Sequence, residues 1–299
     1  DRQHTNHRNP FEEGVECFNR GELSRAIDLF EEELSRNPEN SDCWLMLGKS
    51  HCENDEDTKA IVCLEHAVEH DPYCLEALLT LGVSCVNEMD IERSLKNLKA
   101  WVLNNPSFAG IDLQQIASVE SSSNNRMFEV ELMLRQALKI NPGDADVLEV
   151  LGVVLNTSKN WSDAVDFLEE ALRHKPDNYN LLNKLGATLA NSNRSAEAIP
   201  HYLRALSLKP KFSRGWLNIA IAHSNLRNFD EACRAYLQAL SLNENATHIW
   251  SYLRISLTLA ERWDLLPLAT EQVSERSERA LIKTRDFRVC CSVFWTVLP

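Results

Sequence analysis

The sequence predicts an all-α protein, a superhelix of about seven stacked helix pairs, the fourth degenerate, followed by a further C-terminal helical segment. Three observations predict it: a 34-residue period, small residues at fixed places within the period, and apolar residues spaced i, i+3, i+4 between them. Proline sets the period. Pro38, Pro72 and Pro106 fall 34 residues apart, and so do Pro142, Pro176 and Pro210. Proline cannot continue a helix, so each one marks a break between helix pairs.

Small residues follow the same period. Gly14, Gly48 and Gly82 are followed later by Gly152, Gly186 and Ala220. Ala26, Ala60 and Ser94 are followed by Ala164, Ala198 and Ala232. With the glycine counted as position 8, the second small residue is position 20 and the proline position 32. A small residue at 8 lets the first helix of a pair approach the second closely, and one at 20 does so from the other side. Stretches such as Ala164-Val165-Asp166-Phe167-Leu168 carry the apolar stripe of an amphipathic helix. One pair is too small to bury its own faces, so neighbours must stack. This is the tetratricopeptide-repeat (TPR) pattern.

Repeats run over 7–40, 41–74 and 75–108, then over 145–178, 179–212 and 213–246. Between them, 109–144 reads as the degenerate fourth repeat, because Pro106 and Pro142 are 36 residues apart. Its second helix survives as Phe128 to Ile140, with Ala137 in place. Its first is replaced by Ser107 to Arg126, which lacks the glycine and carries Ser121-Ser122-Ser123-Asn124-Asn125. We expect a hinge or loop there, dividing the array into two triplets. In the last segment, 247–299, Ile249 to Ala260 reads as one more amphipathic helix and Arg262 to Gln272 as its cap, interrupted by Pro267. The tail from Val273 falls outside the period. Its apolar end, Val289 to Leu298, reads as an edge segment or a docking strand.

Composition narrows the function. The 299 residues are 44% hydrophobic and 25% charged, enough apolar content for a core. The net charge of −13 disfavours nucleic acid, which needs a basic face, and suits a basic ligand. No apolar run is long enough to insert in a membrane, and Asp1 to Pro10 has no signal-peptide core. The chain opens without Met and reads as a piece of a longer protein.

Nine cysteines form no CxxC pair. Cys52, Cys63, Cys74 and Cys85 recur every eleven residues, close to three helical turns, and read as packing residues rather than metal ligands. Reduced thiols point to the cytosol, where the Asn156, Asn193 and Asn245 glycosylation patterns are chance matches. There is no P-loop, GxGxxG, HExxH or GxSxG, and His51, His66, His201 and His223 read as packed or partly exposed helix residues. We expect no enzyme, no cofactor and no metal.

Asparagine carries the functional signal. In TPR arrays the first helix of each pair lines the concave side through positions 2, 5, 6, 9, 12 and 13. Here position 13 is Glu53, Asn87, Asn191 and Asn225, and position 12 of the fifth repeat is Asn156. The sixth repeat has Asn183 at position 5, followed by Lys184. The seventh has Arg214 at 2 and Asn218 at 6. Asparagine is a poor helix former. Asn191 and Asn225 lie at helix ends, where capping is an alternative, but Asn183 and Asn218 are mid-helix. One amide acceptor and two donors can hold the C=O and N–H of an extended peptide whatever its side chains, and Arg214 offers a planar fork for a carboxylate. Such a groove suits a free peptide C-terminus.

The run Asn183-Lys184-Leu185-Gly186-Ala187-Thr188-Leu189-Ala190-Asn191, with Leu151 to Asn156 before it and Trp216-Leu217-Asn218 after, resembles the C-terminal half of the peroxisomal targeting signal 1 receptors, the peroxin-5 family. Gly82 to Glu88 resembles a second family stretch. The resemblance covers residues 10–260. It implies a cytosolic receptor that binds cargo ending in a Ser-Lys-Leu-type tripeptide and cycles to the peroxisomal membrane. Asn87, Asn156, Asn183, Asn191, Asn218 and Asn225 would hold the signal backbone and carboxylate, with Arg214 and Lys184 as the groove's cations. Val83 and Val86 would touch the signal side chains, and Glu53 and Glu88 would shape the field around its lysine. Ile249 to Ser251 and Leu253-Arg254 resemble a segment that touches cargo beyond the tripeptide.

The family's N-terminal half, with the motifs that meet peroxisomal docking proteins and the recycling cysteine, is not in this sequence, so we expect cargo binding without docking or cycling. The tail beyond 272 is unlike the family. The alternatives are a co-chaperone clamping a heat-shock protein C-terminus, which needs a Lys/Arg cluster, and a scaffold subunit, which needs a broad apolar groove.

Overall fold

The computed structural model describes residues 9–111, 126–243, 246–267 and 269–270. The described residues form 14 α-helices and no strand. In order they are α1 (Pro10–Asn19), α2 (Leu23–Arg36), α3 (Ser41–Glu53), α4 (Asp57–His70), α5 (Leu75–Asn87) and α6 (Ile91–Asn104). A 3₁₀ turn, Pro106–Phe108, follows. Then come α7 (Arg126–Ile140), α8 (Ala145–Thr157), α9 (Trp161–His174), α10 (Tyr179–Asn191), α11 (Ser195–Leu208), α12 (Ser213–Asn225), α13 (Phe229–Leu242) and α14 (Thr247–Leu259).

Local chemistry fixes the ends. Asn40 caps α3 by accepting from the Cys43 amide at 3.0 Å, and Asp144 caps α8 by accepting from Asp146 and Val147 at 3.1 Å. Trp44 Nε1 donates to the Pro38 carbonyl at 2.7 Å and Trp216 Nε1 to the Pro210 carbonyl at 2.8 Å. The same position in two repeats therefore ties the helix to the proline turn before it.

The reversal within each pair depends on one left-handed residue. Gly21, Asp55 and Met89, then Lys159, Asn193, Arg227 and Glu261, have φ between 56° and 73° and keep the 34-residue spacing. The next amide then reaches back to the helix, as Asp90 N does to Cys85 O at 2.9 Å.

The helices of a pair meet where the sequence places its small residues. A Cβ built on Gly48 would lie 2.7 Å from Leu64 Cγ, and one on Gly152 would lie 2.5 Å from Leu168 Cγ. Position 8 is thus filled by the large side chain sixteen residues on. Ala26, Ala60, Ala164, Ala198 and Ala232 are fully buried on the facing helix.

The helices pack as two compact units, one ending at Leu181 and the other beginning at Leu182. In the first, Leu78, Val83 and Val86 of α5 share a core with Trp101 of α6, Met133 of α7 and Val150, Val153 and Val154 of α8. Phe108 plugs it, 1% exposed and 5.4 Å from the Trp101 ring. The buried Glu129 of α7 receives Lys99 of α6 and, at 3.2 Å, Arg126. The expected hinge falls mostly on 112–125, and the tail on 273–299; both stretches lie outside the described residues. In the second unit, Trp250 and Leu253 of α14 are buried, and α14 packs against α13.

Cys63 and Cys85 are buried and Cys52 and Cys74 half-buried. Burial pushes the Cys63 and Cys85 thiols up to about 11, so both stay protonated near neutral pH. Among the described residues there is no metal-binding cluster, and no helix is long and apolar enough to cross a membrane.

Left-handed backbone costs an L-residue about 1–2 kcal/mol, part of which glycine returns as unfolded-chain entropy, so Met89→Gly should stabilise by about 0.5–1 kcal/mol in urea unfolding. Gly152→Ala should destabilise by about 1–3 kcal/mol, because the methyl overlaps Leu168. A Gly152→Ala variant as stable as the parent would show that this contact yields freely.

Candidate functional site

In the second unit the asparagines meet. Asn183 lies mid-helix on α10 and is 5% exposed. Asn218 lies mid-helix on α12 and donates its amide to Asn183 Oδ1 at 3.0 Å. Neither residue terminates a helix, so the pair is not a cap. The Asn218 amide oxygen and its second N–H make no hydrogen bond to the described residues and are chemically suited to a peptide N–H and C=O. Arg214 lies one turn before Asn218 and is half-buried, as is Lys184 beside Asn183.

Asn225 ends α12 and is exposed. Its amide donates to Ser195 Oγ at 3.2 Å, at the start of α11. The capping alternative for Asn225 therefore gives way to a link between repeats, one that only the structure reveals through Ser195. Asn191 is the exposed last residue of α10.

The first unit holds the remaining candidates. Asn87 is the exposed last residue of α5, Asn156 is half-buried on α8, and α5 and α8 pack directly together. Glu88 is exposed just beyond α5. Val83 and Val86 require correction. Val86 is 0% exposed and Val83 8%, and both belong to the core that joins α5 to α8. They present almost no surface to a ligand, because the valines of α8 occupy that face.

Glu53 is likewise buried, at 4% exposure. It receives a hydrogen bond from the Tyr179 hydroxyl, 126 residues away at the start of α10. Burial first, then the Glu53 charge, raise the Tyr179 phenol well above its ordinary range, so it stays protonated and donates. Sequence reasoning missed Tyr179, since a tyrosine at the first position of a helix follows no repeat.

Two TPR family models match the chain, both described as tetratricopeptide repeat: one at 213–246, the other at 131–180 and 160–213. "Peroxisome biogenesis protein 5" of Arabidopsis thaliana is 41% identical over 159 residues, covering 53% of this chain and 21% of that protein. The "Peroxisomal targeting signal 1 receptor" of Dictyostelium discoideum is 37% identical over 162 residues, covering 52% and 25%. The chain matches tetratricopeptide-repeat models over residues 131–246 and is similar over about half its length to the peroxisomal targeting signal receptors. It spans about a quarter or less of those receptors' length. A solved TPR protein, YrrB, described as having an unusual peptide-binding site, superposes with a TM-score of 0.41 at 15% identity, covering 75% of this chain and 96% of that one.

Within this TPR chain, His223 lies two residues before Asn225. Burial holds its imidazole below the usual value, against the pull of Glu231, and Nδ1 is buried with no hydrogen-bond partner among the described residues. A histidine depressed by folding binds fewer protons folded than unfolded. Its stabilising contribution is present above the unfolded value of about 6.5 and is lost as pH falls through the folded value. The melting temperature should therefore drop between about pH 7 and pH 5, and less steeply in His223→Gln. Identical slopes for the two proteins would exclude His223 as the source.

Proposed function

We propose that this chain binds the free C-terminus of peptides ending in a Ser-Lys-Leu-type tripeptide, as the cargo-binding part of a peroxisomal import receptor. The observation that carries the proposal is the Asn183–Asn218 pair, one helical turn from Arg214. Side-chain amides can hold the C=O and N–H of an extended backbone, and the Arg214 guanidinium on the helix of Asn218 suits a terminal carboxylate. Asn191, Asn225 and Lys184 extend this set in the second unit, and Asn87 and Asn156 are the candidates of the first. The names of the relatives support the same reading.

The function in this reading is binding rather than catalysis, which the TPR matches and the receptor relatives support. In this reading the TPR repeats over 7–108 and 145–246 flank a degenerate fourth repeat, and the chain acts in the cytoplasm and reaches the peroxisomal membrane through docking proteins that meet another part of the receptor.

Fluorescence anisotropy tests it with a labelled peptide ending in Ser-Lys-Leu, beside the same peptide amidated at its C-terminus. The free acid should bind and the amide should not. Asn218→Ala should weaken binding by about 1–3 kcal/mol, by leaving polar groups of the bound peptide unpaired. Asn124→Ala, distant in sequence from the amide pair, should leave binding unchanged. Equal losses at both positions would remove Asn218 from the site.

A further inference from the structure

In the first unit, α2, α3 and α4 frame a cavity of about 400 Å³ that shares no residue with the candidate peptide-binding set. Its volume falls within the roughly 300–1,000 Å³ of small-molecule sites. Leu34 of α2, Leu47 of α3 and Val62 of α4 give it apolar walls, and Trp44 adds an aromatic one. Trp44, Leu47 and His51 recur at i, i+3 and i+7, so a single face of α3 forms the floor. The Trp44 indole adds surface but no donor, because its Nε1–H is given to the Pro38 carbonyl.

One polar group is set into these walls. The His51 side chain is 7% exposed, and its Nδ1 lies 2.8 Å from Glu56 Oε2. Burial works against the Glu56 charge, but hydrogen bonds from Lys59, Asn54 and His51 outweigh it and hold the carboxyl below its usual value, so it is ionised at neutral pH. An ionised carboxylate only accepts, so it draws the imidazole proton to Nδ1. In the neutral ring Nε2 is then an acceptor. It makes no hydrogen bond to the described residues, and it is not one of their sealed, unpartnered polar atoms. Nε2 is therefore open to the cavity that His51 lines.

A ligand entering this cavity takes the place of water at Nε2. It must donate a hydrogen bond there or leave the acceptor buried and unpaired. Charge suits the cavity poorly. An anion would meet Glu31 at the mouth, and the Lys59 ammonium that could answer it already pairs with Glu56 at 2.5 Å. A cation would have the exposed Glu31, and exposed ion pairs add little. We propose that the cavity binds a neutral aromatic alcohol, a phenol or a naphthol, whose ring packs against Trp44, Leu47 and Val62 and whose hydroxyl donates to His51 Nε2. Glu56 is the positioning residue that keeps His51 in its accepting tautomer. The site stands independently of the peptide-binding reading.

The test titrates ¹⁵N-labelled protein at mildly alkaline pH with β-naphthol and with its methyl ether, which has the same rings and no donor. Binding is read from the Trp44 indole N–H resonance. β-Naphthol should bind saturably and about tenfold more tightly than the ether, the scale of one hydrogen bond. His51→Phe should keep the aromatic packing and bind the two compounds alike. Glu56→Gln, whose amide can donate as well as accept, should narrow the preference and leave the ether's affinity unchanged. Val62→Trp, at a position 52% exposed, should fill the cavity without disturbing the core and bind neither compound. Equal affinity of the parent for both compounds, no saturable binding of β-naphthol, a preference kept in His51→Phe, or unaltered binding in Val62→Trp would each overturn the proposal. If His51→Phe does not fold, the parent's preference and Val62→Trp decide it.

Discussion

The close approach of the two helices in each pair is the constraint on which the rest of the structure depends. Gly48 against Leu64 and Gly152 against Leu168 leave no room for a methyl group. With the helices this near, a short turn can join them, and the left-handed residue at its centre becomes compulsory, as at Met89 and Lys159. The same contact fixes which side chains of the first helix turn away from its partner. The position of Asn218 on α12 is therefore a consequence of packing at position 8.

Where the period falters, the core compensates. Beside the fourth repeat, α5 packs directly on α8 through valines from both. Phe108 and the buried Glu129, held by Lys99 and Arg126, seal the adjoining edge. The result is a continuous apolar core from α5 to α8 in which Val83 and Val86 are buried.

The polar residues have a different logic. Asn183 and Asn218 are held on rigid helices and bond to each other, which fixes their amides before any ligand arrives and reduces the entropy that binding must offset. Asn225 is fixed by Ser195 in the same way. Glu53 is the costlier case, because a buried carboxylate at the carbonyl end of a helix must be answered, and Tyr179 answers it.

The repeat could be read from sequence because its requirements are local and recurrent: a proline that breaks, a small residue that admits a neighbour, and an apolar stripe. The asparagines could be read as a set, since mid-helix amides at Asn183 and Asn218 contradict helix propensity without serving as caps. Side-chain pairing could not. Whether Val86 faces a ligand or α8 depends on what a degenerate repeat allows to come together, and whether Glu53 meets water or Tyr179 depends on a contact across 126 residues. Periodicity within the chain determines the helices and the faces they present, whereas contacts between distant helices decide which groups on those faces are already taken.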